Sequence, residues 1–87
     1  MSVKYTLIIK KTAQKQILGL PKPYYDKVKR AILALESDPR PNGCKKLTGS
    51  DNIYRIRIGI YRVIYSIEDG RLIIFVFDVE HRKDAYK

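Results

Sequence analysis

Between Ile53 and Tyr65 the chain reads IYRIRIGIYRVIY, and few folds can accommodate that run. Apolar and basic side chains alternate on both sides of Gly59-Ile60, and a period of two is the signature of half-buried strands. A Gly at the first position of a two-residue loop specifies a type II′ hairpin turn. That turn sets Ile58 opposite Tyr61, Arg57 opposite Arg62 and Arg55 opposite Ile64. Tyr54, Ile56, Ile58, Tyr61, Val63 and Tyr65 then share one face, and Arg55, Arg57 and Arg62 share the other. Like charges directly across a ladder destabilise it. A hairpin that sets Arg57 against Arg62 either splays both into solvent or has a polyanion to hold.

The rest of the chain supplies what such a hairpin packs against. Val3 to Ile9 alternates Val3, Tyr5, Leu7 and Ile9 against Lys4, Thr6 and Ile8, the pattern of a first strand. Thr12 is placed to cap a short helix running to about Gly19, with Ala13, Ile17 and Leu20 inward. Leu20-Pro21-Lys22-Pro23 breaks it. A second helix is predicted from Pro23 to Ser37, because Tyr24, Val28, Ala31, Ile32 and Leu35 recur at helical spacing. Asp38 to Asn42 is a loop, Cys44 to Leu47 a brief extended piece, and Thr48 to Asn52 turn chemistry. Asp69-Gly70 is a type I′ hairpin signal. Counted back from it, Glu68 pairs with Arg71, Ile64 with Phe75 and Arg62 with Phe77. The last strand, Arg71 to Val79, is apolar on both faces and therefore central, with the N-terminal strand on its free edge. The expected architecture is α+β, one domain spanning residues 1–87. A helical hairpin covers the uncharged face of a roughly four-stranded, mostly antiparallel sheet.

Eighty-seven residues allow one compact core and no second one. No run of about 18 apolar residues is present, and Lys10 and Lys11 follow the short N-terminal apolar run instead of preceding it. We therefore expect no membrane association and a cytoplasmic protein. The lone Cys44 pairs with nothing internal, and one Cys with one His offers no structural zinc site. No metal and no cofactor are expected. The net charge of +9 is concentrated in residues 1–50, with 11 basic and 3 acidic side chains against 7 and 6 in the remainder. Such a balance suits nucleic acid or another acidic partner, and equally a solvated Lys-rich helical surface.

In the predicted register the tail after Val79 returns to the Gly59 turn. Arg55, Arg57, Arg62, His81, Arg82 and Tyr86 then gather around one concavity, with Lys45 and Lys46 adding to its field. Asp78 falls on the helix side, so no paired carboxylates face the site. Clustered guanidiniums beside an aromatic can clamp a phosphodiester and stack a base. If the ligand is RNA, the substrate brings its own nucleophile, the 2′-hydroxyl. The protein then needs only a base, an acid and cations for the charge that develops on phosphorus.

Nearly the whole chain resembles the RelE/ParE superfamily of toxin–antitoxin systems, and RelE-type mRNA interferases in particular. The likeness rests on the first strand, the Leu-Pro break between two helices, KKLTGSDNIYRIRIGIYRVIY, and the terminal HRKDAYK. It implies a ribosome-dependent endoribonuclease that cuts mRNA in the ribosomal A site without a metal. It also implies neutralisation by a cognate antitoxin, with DNA met only through the antitoxin complex. By position, the family's basic strand residues match Arg55 and Arg57, its next-strand arginine matches Arg62, and its C-terminal arginine and tyrosine match Arg82 and Tyr86. The general base is then Tyr86 or His81. Two departures stand out: Arg55 and Arg57 replace frequent lysines, and Glu80 replaces a frequent glycine. The alternatives are a ParE-like, non-enzymatic inhibitor of DNA gyrase and a catalytically decayed RNA-binding homologue.

Overall fold

The structure, a computed structural model, describes residues 4–81. The central hairpin forms as its alternation requires. Strand β3 (Ile53–Ile58) and strand β4 (Tyr61–Glu68) pair antiparallel, with Ile58 opposite Tyr61, Arg57 opposite Arg62 and Arg55 opposite Ile64. Gly59 has φ +62°, while Ile60 is not in the left-handed region, which is the asymmetry of a type II′ turn.

Around it the elements run β1 (Thr6–Ile9), α1 (Lys11–Leu18), α2 (Lys22–Ala34), β2 (Lys45–Lys46), then β3, β4 and β5 (Ile73–His81). The sheet order is β1-β5-β4-β3-β2. β1 runs parallel to β5, covering its free edge as expected, and all other pairs are antiparallel. The fifth strand, one more than expected, is the two-residue β2, which sets Lys45 against Arg55 and Lys46 against Tyr54. The class is α+β as read from the sequence.

Both helices lie on the uncharged face. Ala13 and Ile17 from α1, with Val28, Ile32 and Leu35 from α2 and its end, pack against Ile56, Val63, Tyr65, Ile67, Ile74, Val76 and Val79. Thr12 does not cap α1: it lies inside the helix, whose N-cap is Lys10 with no side-chain cap bond. Pro21 occupies the N-cap of α2, and Pro23 sits in its first turn, where a missing N–H costs nothing. The helix ends at Ala34, and turns continue to Ser37. Among the described residues no helix is long and apolar enough to cross a membrane.

The β4–β5 connection departs from the Asp69-Gly70 reading. It spans four residues, with Leu72 at φ +55° and its carbonyl accepting from Thr6 N–H of β1 at 2.7 Å. Glu68 therefore pairs with Ile73, not Arg71. A bulge between Ile64 and Tyr65 shifts the register again, so Ile64 faces Asp78 and Arg62 faces Glu80, not Phe75 and Phe77. The loop is held from outside the hairpin: Tyr5 Oη donates to Asp69 Oδ1 at 2.6 Å, and Arg40 bridges Asp69 at 2.9 Å. A strand apolar on both faces does not select its own register. Here the loop anchors and the bulge select it.

A Cβ at Gly59 would stand 3.0 Å from Tyr24 Cε1 of α2, in a backbone conformation that L-residues avoid. Gly59→Ala should therefore destabilise the fold by about 1–2 kcal/mol. The check is a lower urea midpoint at unchanged denaturant dependence.

Candidate functional site

Strand β4 is the middle of the sheet, and Arg62 is the basic residue it turns away from the helices. Arg57 of β3 stands opposite it on one side and Glu80 of β5 on the other. Arg55 shares this face, with Lys45 of β2 opposite it. Arg57 is exposed, whereas Arg62 is half-buried and its Nε is buried with no hydrogen-bond partner among the described residues. An unpaired buried donor is costly, and more so on a charged group. Lys46, paired with Tyr54, alternates to the other face.

His81 does not join the arginines. It pairs with Tyr61, and the two rings meet edge-on at 5.2 Å on the face that also carries Tyr24 and the helices. The cause is the bulge. An extra residue, Phe77, reverses the alternation beyond it, so Val79 and His81 turn toward the helices and Asp78 and Glu80 turn toward the arginines. A pair of carboxylates thus stands beside Arg62, where the sequence reading has no such pair. Arg82 and Tyr86 lie outside the described residues.

The carboxylate pair is tied to α1. β1 reaches only as far as Val76 along β5, which leaves the edge of β5 unpaired beyond that point. Gln16 fills the place of a strand there: Val79 N–H donates to Gln16 Oε1 at 2.8 Å, and Gln16 Nε2 donates to Asp78 Oδ1 at 2.6 Å. The first bond fixes which end of the amide faces Asp78. The Glu80 carboxyl is held above the usual glutamate range. Burial is the largest cause, a hydrogen bond with Asp78 and the charge of Asp78 add to it, and Arg62 partly offsets it. Sequence reasoning missed Asp78, Glu80 and Gln16. The signal available was the Asp78-Val79-Glu80 alternation, had Val79 been taken as the inward residue.

Toward the other end of the same face, Phe75 and Phe77 lie 4.8 Å apart and line a shallow hollow of about 310 Å³ with Ile8, Ile73 and Ser66. On the helix side, Arg40 lies 5.3 Å over the Tyr54 ring and donates to its hydroxyl at 3.3 Å. Arg40 first, then Tyr5, holds the Asp69 carboxyl below its ordinary range. That cluster ties the loop after α2 to the β4–β5 connection.

Residues 7–86 match the model of the family described as the ParE toxin of type II toxin–antitoxin system, parDE. A curated protein of Methanocaldococcus jannaschii, named "Putative toxin RelE1", is 35% identical over 88 residues, covering 98% of each chain. This chain belongs to the RelE/ParE toxin family. Solved members share its fold. The toxin of the archaeal RelE–RelB complex from Pyrococcus horikoshii OT3 superposes with a TM-score of 0.82 at 32% identity, over 92% of this chain and 97% of that one. A chain of the RelBE2 toxin–antitoxin complex from Mycobacterium tuberculosis gives 0.78 at 27%, over 92% and 100%. The RelE/ParE membership expected from KKLTGSDNIYRIRIGIYRVIY and the helical-hairpin-on-sheet architecture both hold.

Proposed function

We propose that this RelE/ParE toxin is an endoribonuclease that cleaves mRNA on the ribosome and so stops translation. The observation that carries the reading is Arg62, half-buried on a face shared with Arg55 and Arg57, whose buried Nε has no acceptor among the described residues. A guanidinium so placed takes a phosphate oxygen in the fork geometry that planar anions favour. The RNA supplies its 2′-hydroxyl as nucleophile, so neither a metal nor a cofactor is required. Attack on the adjacent phosphorus yields a 2′,3′-cyclic phosphate and a free 5′-hydroxyl. Arg62 stabilises the charge that builds on the equatorial oxygens. Arg55, Arg57 and Lys45 guide the RNA backbone. Arg82 and Tyr86 carry their roles by motif position, as a second phosphate ligand and a group that stacks on a base.

The partner is an antitoxin, since relatives of this fold occur in complexes with RelB. A face this basic suits an acidic segment that orders on binding. The substrate places the activity in the cytoplasm.

The ParE description of the matching family model supports a second reading, inhibition of DNA gyrase without catalysis. The two part in one experiment. Purified protein is added to a translation reaction with mRNA ends mapped, and separately to a gyrase supercoiling reaction. New mRNA ends with supercoiling untouched support the nuclease; the reverse supports the gyrase inhibitor.

A further inference from the structure

Glu80 lies directly across the ladder from Arg62, and Asp78 lies two residues away on the same face. Neither is a stray surface acid. Asp78 is gripped by Gln16 of α1 at 2.6 Å, and Gln16 is itself fixed by the Val79 N–H at 2.8 Å. Cross-strand neighbours have Cβ atoms about 5 Å apart. A nucleotide whose phosphate is held by the half-buried Arg62 guanidinium therefore brings its 2′-hydroxyl within reach of the Glu80 carboxylate. His81, the described rival for proton transfer, faces Tyr61 on the other side of the sheet. We propose that Glu80 is the general base of this toxin, taking the proton of the attacking 2′-hydroxyl, with Asp78 and Gln16 as the residues that position it. The assignment rests on the reading of the chain as an RNA-cleaving toxin.

The step balances without any further reactant. The 2′-O–H bond breaks and its proton passes to a Glu80 oxygen. The 2′-oxygen bonds to phosphorus, the P–O5′ bond breaks, and the leaving 5′-oxygen takes a proton from solvent. Protonated Glu80 then donates a hydrogen bond to Asp78, which lowers the cost of accepting the proton, and returns the proton to water afterwards. Among the described residues, the charged groups facing Glu80 are Arg62 on β4, Arg57 one strand beyond, and Asp78 on its own strand; α1 reaches the pair with the uncharged Gln16. The raised Glu80 pKa fits this task, since a base poised nearer neutrality is the stronger one.

The test is single-turnover cleavage of mRNA on programmed ribosomes, followed against pH, with urea midpoints confirming that each variant is folded. The original protein should show an acid limb, its rate rising with pH as Glu80 ionises and then levelling. Glu80→Gln should be slower by about 10²-fold or more and lose that limb. Glu80→Asp should recover part of the rate. Asp78→Asn should move the limb to lower pH, because it removes both the hydrogen bond and the charge that raise Glu80. A Glu80→Gln protein as fast as the original or faster overturns the proposal, the latter marking Glu80 as a counter-charge that holds RNA off. A slower variant that keeps the acid limb overturns it too. Absence of cleavage by the original protein overturns both this assignment and the nuclease reading, whereas an active original with an unimpaired Glu80→Gln variant overturns this assignment alone.

Discussion

Arg62→Ala is expected to slow single-turnover cleavage of ribosome-bound mRNA by about 10²–10³-fold, the effect of removing one donor aimed at a developing oxyanion. The guanidinium is flanked across the ladder by Arg57 and Glu80, and its Nε makes no hydrogen bond among the described residues. Its deletion therefore breaks no such bond at Nε and relieves a like-charge pair with Arg57. The variant should stay folded, with a urea midpoint close to the original. Arg62→Lys keeps the charge without the planar fork and should fall between the two in rate. Full activity in Arg62→Ala would remove this residue from the site.

The second large effect is on stability. Tyr65 is fully buried, with its ring 6.1 Å from that of Tyr54 and its hydroxyl donating to the Pro39 carbonyl at 2.8 Å. It joins the centre of the sheet to the loop after α2. Burial pushes the phenol well above its ordinary range, so it remains a neutral donor at any working pH. Tyr65→Ala opens a cavity under α2 and should cost about 3–5 kcal/mol, much of what a small domain possesses. Tyr65→Phe deletes only the hydroxyl and orphans the Pro39 carbonyl, for about 1–2 kcal/mol. Chemical denaturation of the two variants separates packing from the hydrogen bond. Equal losses would mean that the ring contributes little.

The hairpin, the core face and the family were legible because each rests on a local pattern. Gly59 and the Tyr/Ile–Arg alternation leave β3 and β4 a single register. The last strand was not legible in the same way. Ile73, Phe75 and Phe77 are as apolar as Ile74 and Val76, so the strand carries no preference between faces, and Asp69-Gly70 suggested a tighter loop than the one that forms. The deciding contacts are distant in sequence: Tyr5 and Arg40 hold Asp69, and Thr6 binds the Leu72 carbonyl. The bulge at Ile64/Tyr65 then inverted every assignment beyond Phe77. That one inserted residue moved His81 away from the arginines and brought Asp78 and Glu80 to them. The departure from glycine at Glu80 was visible in the sequence, but its position opposite Arg62 was not. Gln16 carried no sequence signal, because its role depends on where β1 stops.

The measurement that bears most directly on the central claim is cleavage by the purified, metal-free protein of one mRNA offered both naked and bound to programmed ribosomes, with ends mapped and their chemistry identified. The predicted result is codon-positioned cutting on ribosomes that leaves 2′,3′-cyclic phosphate and 5′-hydroxyl ends, with negligible cutting of the naked RNA. Efficient cutting of naked RNA, ends of the opposite polarity, or intact mRNA on arrested ribosomes would contradict it.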